Sequence, residues 1–481
     1  MISIEHDQNV DSPMRKRTDL VAHDTPGGLP GGTRHVKHRF MRQLSLGTVF
    51  FVALLALSAG SIRAQNRSLG KVLHEVEATA PTLKAARANA DASHERKNLA
   101  RSRLLGEIDA MAQTVHFNDN RLTRPIAPPI SLPSLTFDNN HIGYGAGIQL
   151  PLDFNGRLRN SLAAASHQEK AAKSSVEDVR LTLLNRAATL YRSLEQIAGL
   201  RIALQKQYEA LEGHIRVASK AVEIGRIADV ERLRLVAELR IVEGRLAGLD
   251  GAEAGIRARL ASLIEARSFA LPVPPPEQEP DSLGARDEAL SERPDLRAAN
   301  ELVAASRAQV KANKASYFPD FFASASWFQN QGFDGSGTGD ATWQVGIQAR
   351  LPLWTGRRRK AQVAQAKAQF RARQYQEDAL TEAAKAELAA SSSAWSAAKA
   401  QYRAAQSAVT AAEEVTRIQT DRFDQGRLSA TDLVDAEASL AGVRSELAAS
   451  LARWWQADDA LQLAVGLAPA AYYQFDNPPK Q

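Results

Sequence analysis

The 481-residue sequence predicts an α+β fold in which one unit is written twice. Three observations carry that expectation. Short landmarks recur in the same order in two halves, each half holds stretches with the two-residue period of half-buried strands, and each holds an unbroken helical pattern too long for any globular core.

The duplication is read from three landmarks. LPLDFNGR at 150–157 returns as LPLWTGR at 351–357, each shortly after a Gly-Ile-Gln, at Gly147-Ile148-Gln149 and Gly346-Ile347-Gln348. EIGRIADVERLRL at 223–235 matches DQGRLSATDLVDA at 424–436, and APTLKAA at 80–86 matches RPDLRAA at 293–299. The copies are expected over 65–266 and 291–468, separated by a Pro-rich linker at 267–290 that includes Leu-Pro-Val-Pro-Pro-Pro and cannot be helical throughout. A tail at 469–481 follows the second copy.

The strand evidence lies just before each LPL landmark. In 142–150, Ile142, Tyr144, Ala146, Ile148 and Leu150 alternate with Gly143, Gly145, Gly147 and Gln149. In 343–351, Trp343, Val345, Ile347, Ala349 and Leu351 alternate with Gln344, Gly346, Gln348 and Arg350. Partner strands are expected at about 108–117 and 320–328. An apolar face backed by a polar one, over about ten residues, suits a strand with lipid on one side and water on the other. The loops around 118–140 and 329–341, with Pro125, Pro128, Pro129, Gly335, Gly337 and Gly339, would then face the exterior.

Each long helix follows its landmark directly. From Leu190 the apolar positions run Leu194, Ile197, Leu200, Leu204, Tyr208, Leu211 and Ile215, in steps of three and four. The second copy repeats this with Trp395, Ala398, Tyr402, Ala405, Val409, Ala412 and Val415. No proline interrupts 157–222 or 357–424. A helix of some 65 residues is about 100 Å long, which demands a coiled coil or a tube wall. Shorter helices are expected at about 229–265 and 432–465, antiparallel to the long ones, and others at 70–105 and 294–316.

Composition narrows the function. Cysteine is absent, which excludes disulfides, thiolate metal sites, Cys nucleophiles and a lipid-acceptor Cys. The formal charge is +6, but residues 1–64 hold 8 basic and 5 acidic groups, leaving 52 against 49 in the remainder. So small and interspersed a charge gives no footprint for nucleic acid. Met41-Arg42 precede an apolar run from Leu44 to Leu57 and then small residues, the pattern of a secretory signal with cleavage after Gly60 or Ala64. That run is shorter than the ~20 residues of a spanning helix. Met41 is the expected start, with the preceding residues an upstream extension.

With these residues in view, the chain resembles the TolC-like outer-membrane efflux proteins over nearly all of its expected mature length. The resemblance implies a long antiparallel α-helical barrel continuous with a transmembrane β-barrel, four strands per protomer and twelve per homotrimer. It implies an outer-membrane location extending into the periplasm of a Gram-negative-type envelope. The implied partners are a periplasmic adaptor, an inner-membrane pump of RND, ABC or MFS type, and outer-membrane lipid. The Pro-rich linker and the tail would belt the helical barrel. Metal cations, drugs and polypeptides pass through members of this family; a duct for type I protein secretion is the nearest alternative. A departure is the missing lipidated Cys of many relatives.

The resemblance also assigns the helix turns. Gly225 and Gly426 end the long helices, where a left-handed cap is expected. The adaptor contact would comprise Gly225, Arg226, Ile227, Gly426, Arg427, Leu428 and Ser429. By position, Asp432 and Asp435, six and nine residues past Gly426, match the family's gating acids. Glu231 matches the first of them in the other copy, where Arg234 replaces the second. Bridging cations are expected from Arg226, Arg232, Arg234 and Arg427. Ser429-x-x-Asp432 is also a helix-start pattern, so capping is the competing role for Asp432.

Other chemistry finds little support. His74, His94, His116, His141, His167 and His214 have neither the close spacing nor the carboxylate pairing of a metal site, and surface or packing roles are expected of them. Gly143-x-Gly145-x-Gly147 opens no helix, so it is not a dinucleotide loop but small residues on one strand face. Arg357-Arg358-Arg359-Lys360 starts a helix after a membrane strand and suits anionic headgroups at the inner rim or a plain solvated face better than nucleic acid. No nucleophile and base stand together, so no cofactor and no catalysis are expected. A periplasmic adaptor would share the long hairpins but not the strands.

Overall fold

The computed structural model describes residues 68–123, 135–264, 292–333 and 341–476, with residues 126, 128–132, 279–280 and 290. The expected signal segment, most of the Pro-rich linker and the glycines at 335, 337 and 339 lie outside the described residues.

The elements follow the duplicated order. Helices α1 (Leu69–Thr79) and α2 (Pro81–Ser102) lead into strands β1 (Glu107–Leu122) and β2 (Phe137–Leu152), then α3 (Arg157–Glu223) and α4 (Asp229–Leu263). The second round runs α5 (Pro294–Ala315), β3 (Asp320–Gly332), β4 (Ala341–Arg350), α6 (Arg358–Asp424) and α7 (Ala430–Ala464), closed by α8 (Ala470–Asp476). The single helix expected over 70–105 is broken in two. Ala80 stands at ψ 124° because the ring of Pro81 excludes helical backbone at the residue before it. The strands are longer than expected, 16 residues each for β1 and β2.

The four strands form one antiparallel sheet in the order β1-β2-β3-β4. Register keeps the faces separate across all four. Ile148 opposes Ile108 on one side and Ala325 on the other, and Ala325 opposes Val345. Trp327 likewise opposes Trp343. The other face carries Asp109, Gly147, Ser326 and Gln344 in one row. Directly opposed residues share a face, so the two sides set by alternation stay in register across the sheet, with Met111, Val115, Phe322 and Phe328 as apolar residues on the otherwise more polar side. Trp343, Val345 and Ile347 on β4 are each about three-quarters exposed (74%, 73% and 74%). Such apolar exposure is tolerated where lipid or another chain covers it.

At the strand-to-helix junction the LPLDFNGR residues act together. The Asp153 carboxylate accepts from the backbone N–H of Leu158 and Arg159, both at 2.9 Å, capping the start of α3. Gly156 turns the chain at φ 71°. Asn155 donates to the Pro319 carbonyl and Arg157 to Asp320 at 3.1 Å, fastening this junction to the start of β3.

The 67-residue α3 and α6 are each about 100 Å long. Packing is segmented along α3. Its middle meets α1, the end of α4 and Ala468 in a cluster centred on Leu184, Ala187, Ala188, Val72, Leu73 and Leu260, all fully buried. Its far end meets α4, α6 and α7 around Leu211, Leu235, Val242 and Leu433. α8 lies against α1, where the Tyr472 hydroxyl donates to Glu77 at 2.5 Å.

Half-way along α3 a charged group is enclosed. Arg192 donates to Glu195 at 2.9 Å and to Asp459 of α7 at 3.5 Å, and its guanidinium stacks on Trp455. Burial pushes the Asp459 carboxyl up to about 7, Arg192 opposing only in part. A carboxyl raised above its unfolded value contributes stability below that unfolded value, and the contribution is lost as pH rises through the folded one. Asp459→Asn is therefore expected to raise the melting temperature at pH 8 more than at pH 5. Thermal melts across that range check it; an unchanged slope would show that Asp459 is not titrating there.

Candidate functional site: the paired helix turns

The ends of α3 and α6 are built alike. After α3, the Gly225 N–H donates to the Val222 carbonyl and the Arg226 N–H to the Ala221 carbonyl; after α6, Gly426 donates to Phe423 and Arg427 to Arg422. Both glycines are left-handed, at φ 67° and 69°. This paired capping satisfies the last carbonyls of each helix and sends the chain back within five residues.

The two turns are tied to each other. Arg226 reaches across and donates to the Gln425 carbonyl at 2.6 Å. Glu231, in the first turn of α4, accepts from the backbone N–H of Ala430 at 3.0 Å and so caps α7 from the neighbouring hairpin. Arg234 holds Glu231 at 3.2 Å and also donates to the Thr431 hydroxyl at 2.9 Å. A buried pair backs the seam higher up: His214 of α3 and Glu437 of α7 meet at 3.0 Å.

Between the turns lies a cavity of about 210 Å³, lined by Ala218, Ala221, Ile224, Ile227 and Phe423 with Arg226 at its edge. It is the size of one aliphatic side chain with room around it. Gly426 forms part of the rim, where an added Cβ would sit 3.1 Å from the Arg226 guanidinium.

The site residues expected from sequence differ in what they touch. Arg226, Glu231 and Arg234 are joined across the hairpins, and Thr431 and the Gln425 carbonyl join them with no signal in the sequence. Arg232 instead pairs within its own helix, with Asp229 at 2.7 Å. Ser429 caps α7: its hydroxyl accepts from the Asp432 N–H at 3.2 Å and donates to the Asp432 carboxylate at 2.8 Å. The side chains of Asp435 and Arg427 are exposed, with no hydrogen-bond or ion-pair partner among the described residues. Gly225, Ile227 and Leu428 stand at the turns as placed.

Histidines add further ties between helices. Three have carboxylate partners distant in sequence: His214 with Glu437, His94 with Glu169 at 2.9 Å, and His167 with Glu301 at 2.6 Å. Each pair joins two helices, because α3 threads between elements from both copies. Among the described residues no group of three or more His, Asp or Glu is placed to hold a metal.

The profile of the family described as "Outer membrane efflux protein" matches residues 72–264 and 285–467. The outer membrane efflux protein BepC of Brucella suis is 27% identical over 258 residues, covering 52% of this chain and 55% of the relative. Nodulation protein T of Rhizobium leguminosarum is 24% identical over 371 residues, 71% of this chain and 79% of that one. The crystal structure of the outer membrane protein VceC of Vibrio cholerae superposes with a TM-score of 0.72 at 22% identity, covering 84% of this chain and 98% of that one. This chain thus spans about half the length of the Brucella relative and nearly all of the Vibrio structure. Two successive profile matches on a duplicated helix-and-strand architecture, and a fold shared with a solved outer-membrane protein, place the chain in the outer membrane efflux protein family.

Proposed function

We propose that this chain is the outer-membrane duct of a tripartite efflux system, a passive homotrimer that receives substrate from an inner-membrane pump and a periplasmic adaptor. The observation that carries the reading is the sheet. Its apolar face is exposed, and β1 and β4 each pair on one side only among the described residues. Four strands cannot close, whereas three copies supply the twelve of a barrel without edges. Residues 267–290 and 469–481 would belt the helices between the repeats at 65–266 and 291–468. Outer-membrane lipid would meet Trp343, Val345 and Ile347. Exposed Leu353, Trp354 and Phe154 mark its lower boundary beside Arg357 and Arg358. Pump type, whether RND, ABC or MFS, and cargo belong to the partners. The test is direct: the purified protein should run as a heat-modifiable trimer and open conducting pores in planar bilayers. A monomer without pore activity would overturn the reading.

The turns would form the closed periplasmic end, with the cavity beside Gly426 receiving an apolar side chain of the adaptor. Of the expected gating acids, Glu231 is already engaged in capping and Asp432 in the Ser429 cap, so the free Asp435 is the residue that threefold symmetry would turn into a charged ring. Asp435→Asn is expected to reduce cation selectivity and divalent block in bilayer recordings more than Asp432→Asn does. Equal effects would return the role to both.

A further inference from the structure

The polar face of the sheet carries apolar residues at three levels, Val115 towards one end, Phe322 towards the other, and a central row between them. Met111, Gly145, Phe328 and Thr342 stand in a single row across the four strands. The Phe328 ring lies over the glycines of β2: a Cβ on Gly143 would fall 2.6 Å from its Cζ, and one on Gly145 2.6 Å from its Cδ2. Met111 leans in from the other side, its Cε 3.6 Å from where a Cβ on Gly147 would be. The glycines at 143, 145 and 147 therefore clear a floor for an aromatic ring and a thioether, with the polar row of Asp109, Gly147, Ser326 and Gln344 beside them.

Charge accompanies this band on the same face. Asp109 stands two residues along β1 from Met111, about 7 Å away, and Glu107 two further. Both are exposed, and neither has an ion-pair partner among the described residues. The nearest basic group of that face on β4, Arg350, is four residues beyond Gly346, which shares the row of Glu107, so about 14 Å further down. An aromatic face with carboxylates beside it attracts a cation that carries its own apolar surface.

We propose that Phe328 and Met111, with Asp109 and Glu107, form a transit site for lipophilic organic cations on the inner wall of the barrel. The inference rests on the duct reading, in which the polar face is the water-filled side. Threefold repetition would set three such sites at one height in the lumen.

The absence of cysteine makes the test clean. Single cysteines at Ser326→Cys, two residues from Phe328 and in the next row of the polar face, and Trp327→Cys, on the apolar face, are labelled with a water-soluble thiol reagent on the full protein in lipid discs. Cys at 326 should react much the faster. Tetraphenylphosphonium should slow its reaction about five-fold, and tetramethylammonium at the same concentration should not. Phe328→Leu in the Ser326→Cys background should remove most of that protection while the heat-modifiable oligomer persists. Protection that is absent, or that survives Phe328→Leu unchanged, would overturn the transit site and leave the duct standing. Labelling at 326 no faster than at 327 would overturn the duct reading itself and the transit site with it.

Discussion

Gly426→Val is expected to abolish export while leaving oligomer and membrane insertion intact. The backbone at 426 is left-handed at φ 69°, a conformation that costs a β-branched residue at least about 1–2 kcal/mol. Its side chain would also meet the Arg226 guanidinium at 3.1 Å and displace it from the Gln425 carbonyl, breaking the tie between the turns and filling the rim of the cavity. The barrel and the mid-helix core lie on other segments, so assembly should be spared. Gly225→Ala is the internal control: an added Cβ there meets nothing within 4 Å, so only backbone strain remains and a partial loss is expected. Export of a dye from cells lacking their own duct measures both. Normal export by Gly426→Val would show that nothing docks at this turn.

The largest stability loss is expected from Trp454→Ala. Trp454 is 1% exposed and packs between Trp395, at 6.0 Å between ring centroids, and Tyr402, at 5.5 Å, joining α6 to α7. Removing an indole from such a site costs about 3–5 kcal/mol. Trp454→Phe should lose far less. The indole N–H is buried without a partner, an arrangement that carries a penalty of ~1–3 kcal/mol, and phenylalanine removes it while keeping a ring against Trp395 and Tyr402. Denaturant midpoints at one fixed protein concentration rank the variants. Equal losses for Ala and Phe would show that the N–H finds water or a neighbouring copy.

The turns show how far local sequence reaches. Gly225 and Gly426 could be assigned because a left-handed cap is a property of five consecutive residues, and Ser429-x-x-Asp432 because a helix start is one of four. The division of labour among the acids was not legible. Glu231 and Asp432 occupy equivalent places in the two copies, yet one caps the neighbouring hairpin and the other sits in its own cap, since only the first faces a helix start across the seam. His214 with Glu437 and Arg192 with Asp459 are separated by 223 and 267 residues, and no periodicity announces them.

By itself, the sequence determined the duplication, the order of strands and long helices, the faces of the sheet and the two glycine turns. All of these follow from hydrophobic period, proline placement and backbone freedom, which act over a few residues at a time. The tertiary structure decided which charges are joined across α3, why Gly143, Gly145 and Gly147 must be small, and which expected gate residues are already engaged. Those outcomes depend on segments some 200 residues apart being brought side by side, where burial and a neighbouring ring or guanidinium set each side chain's partner.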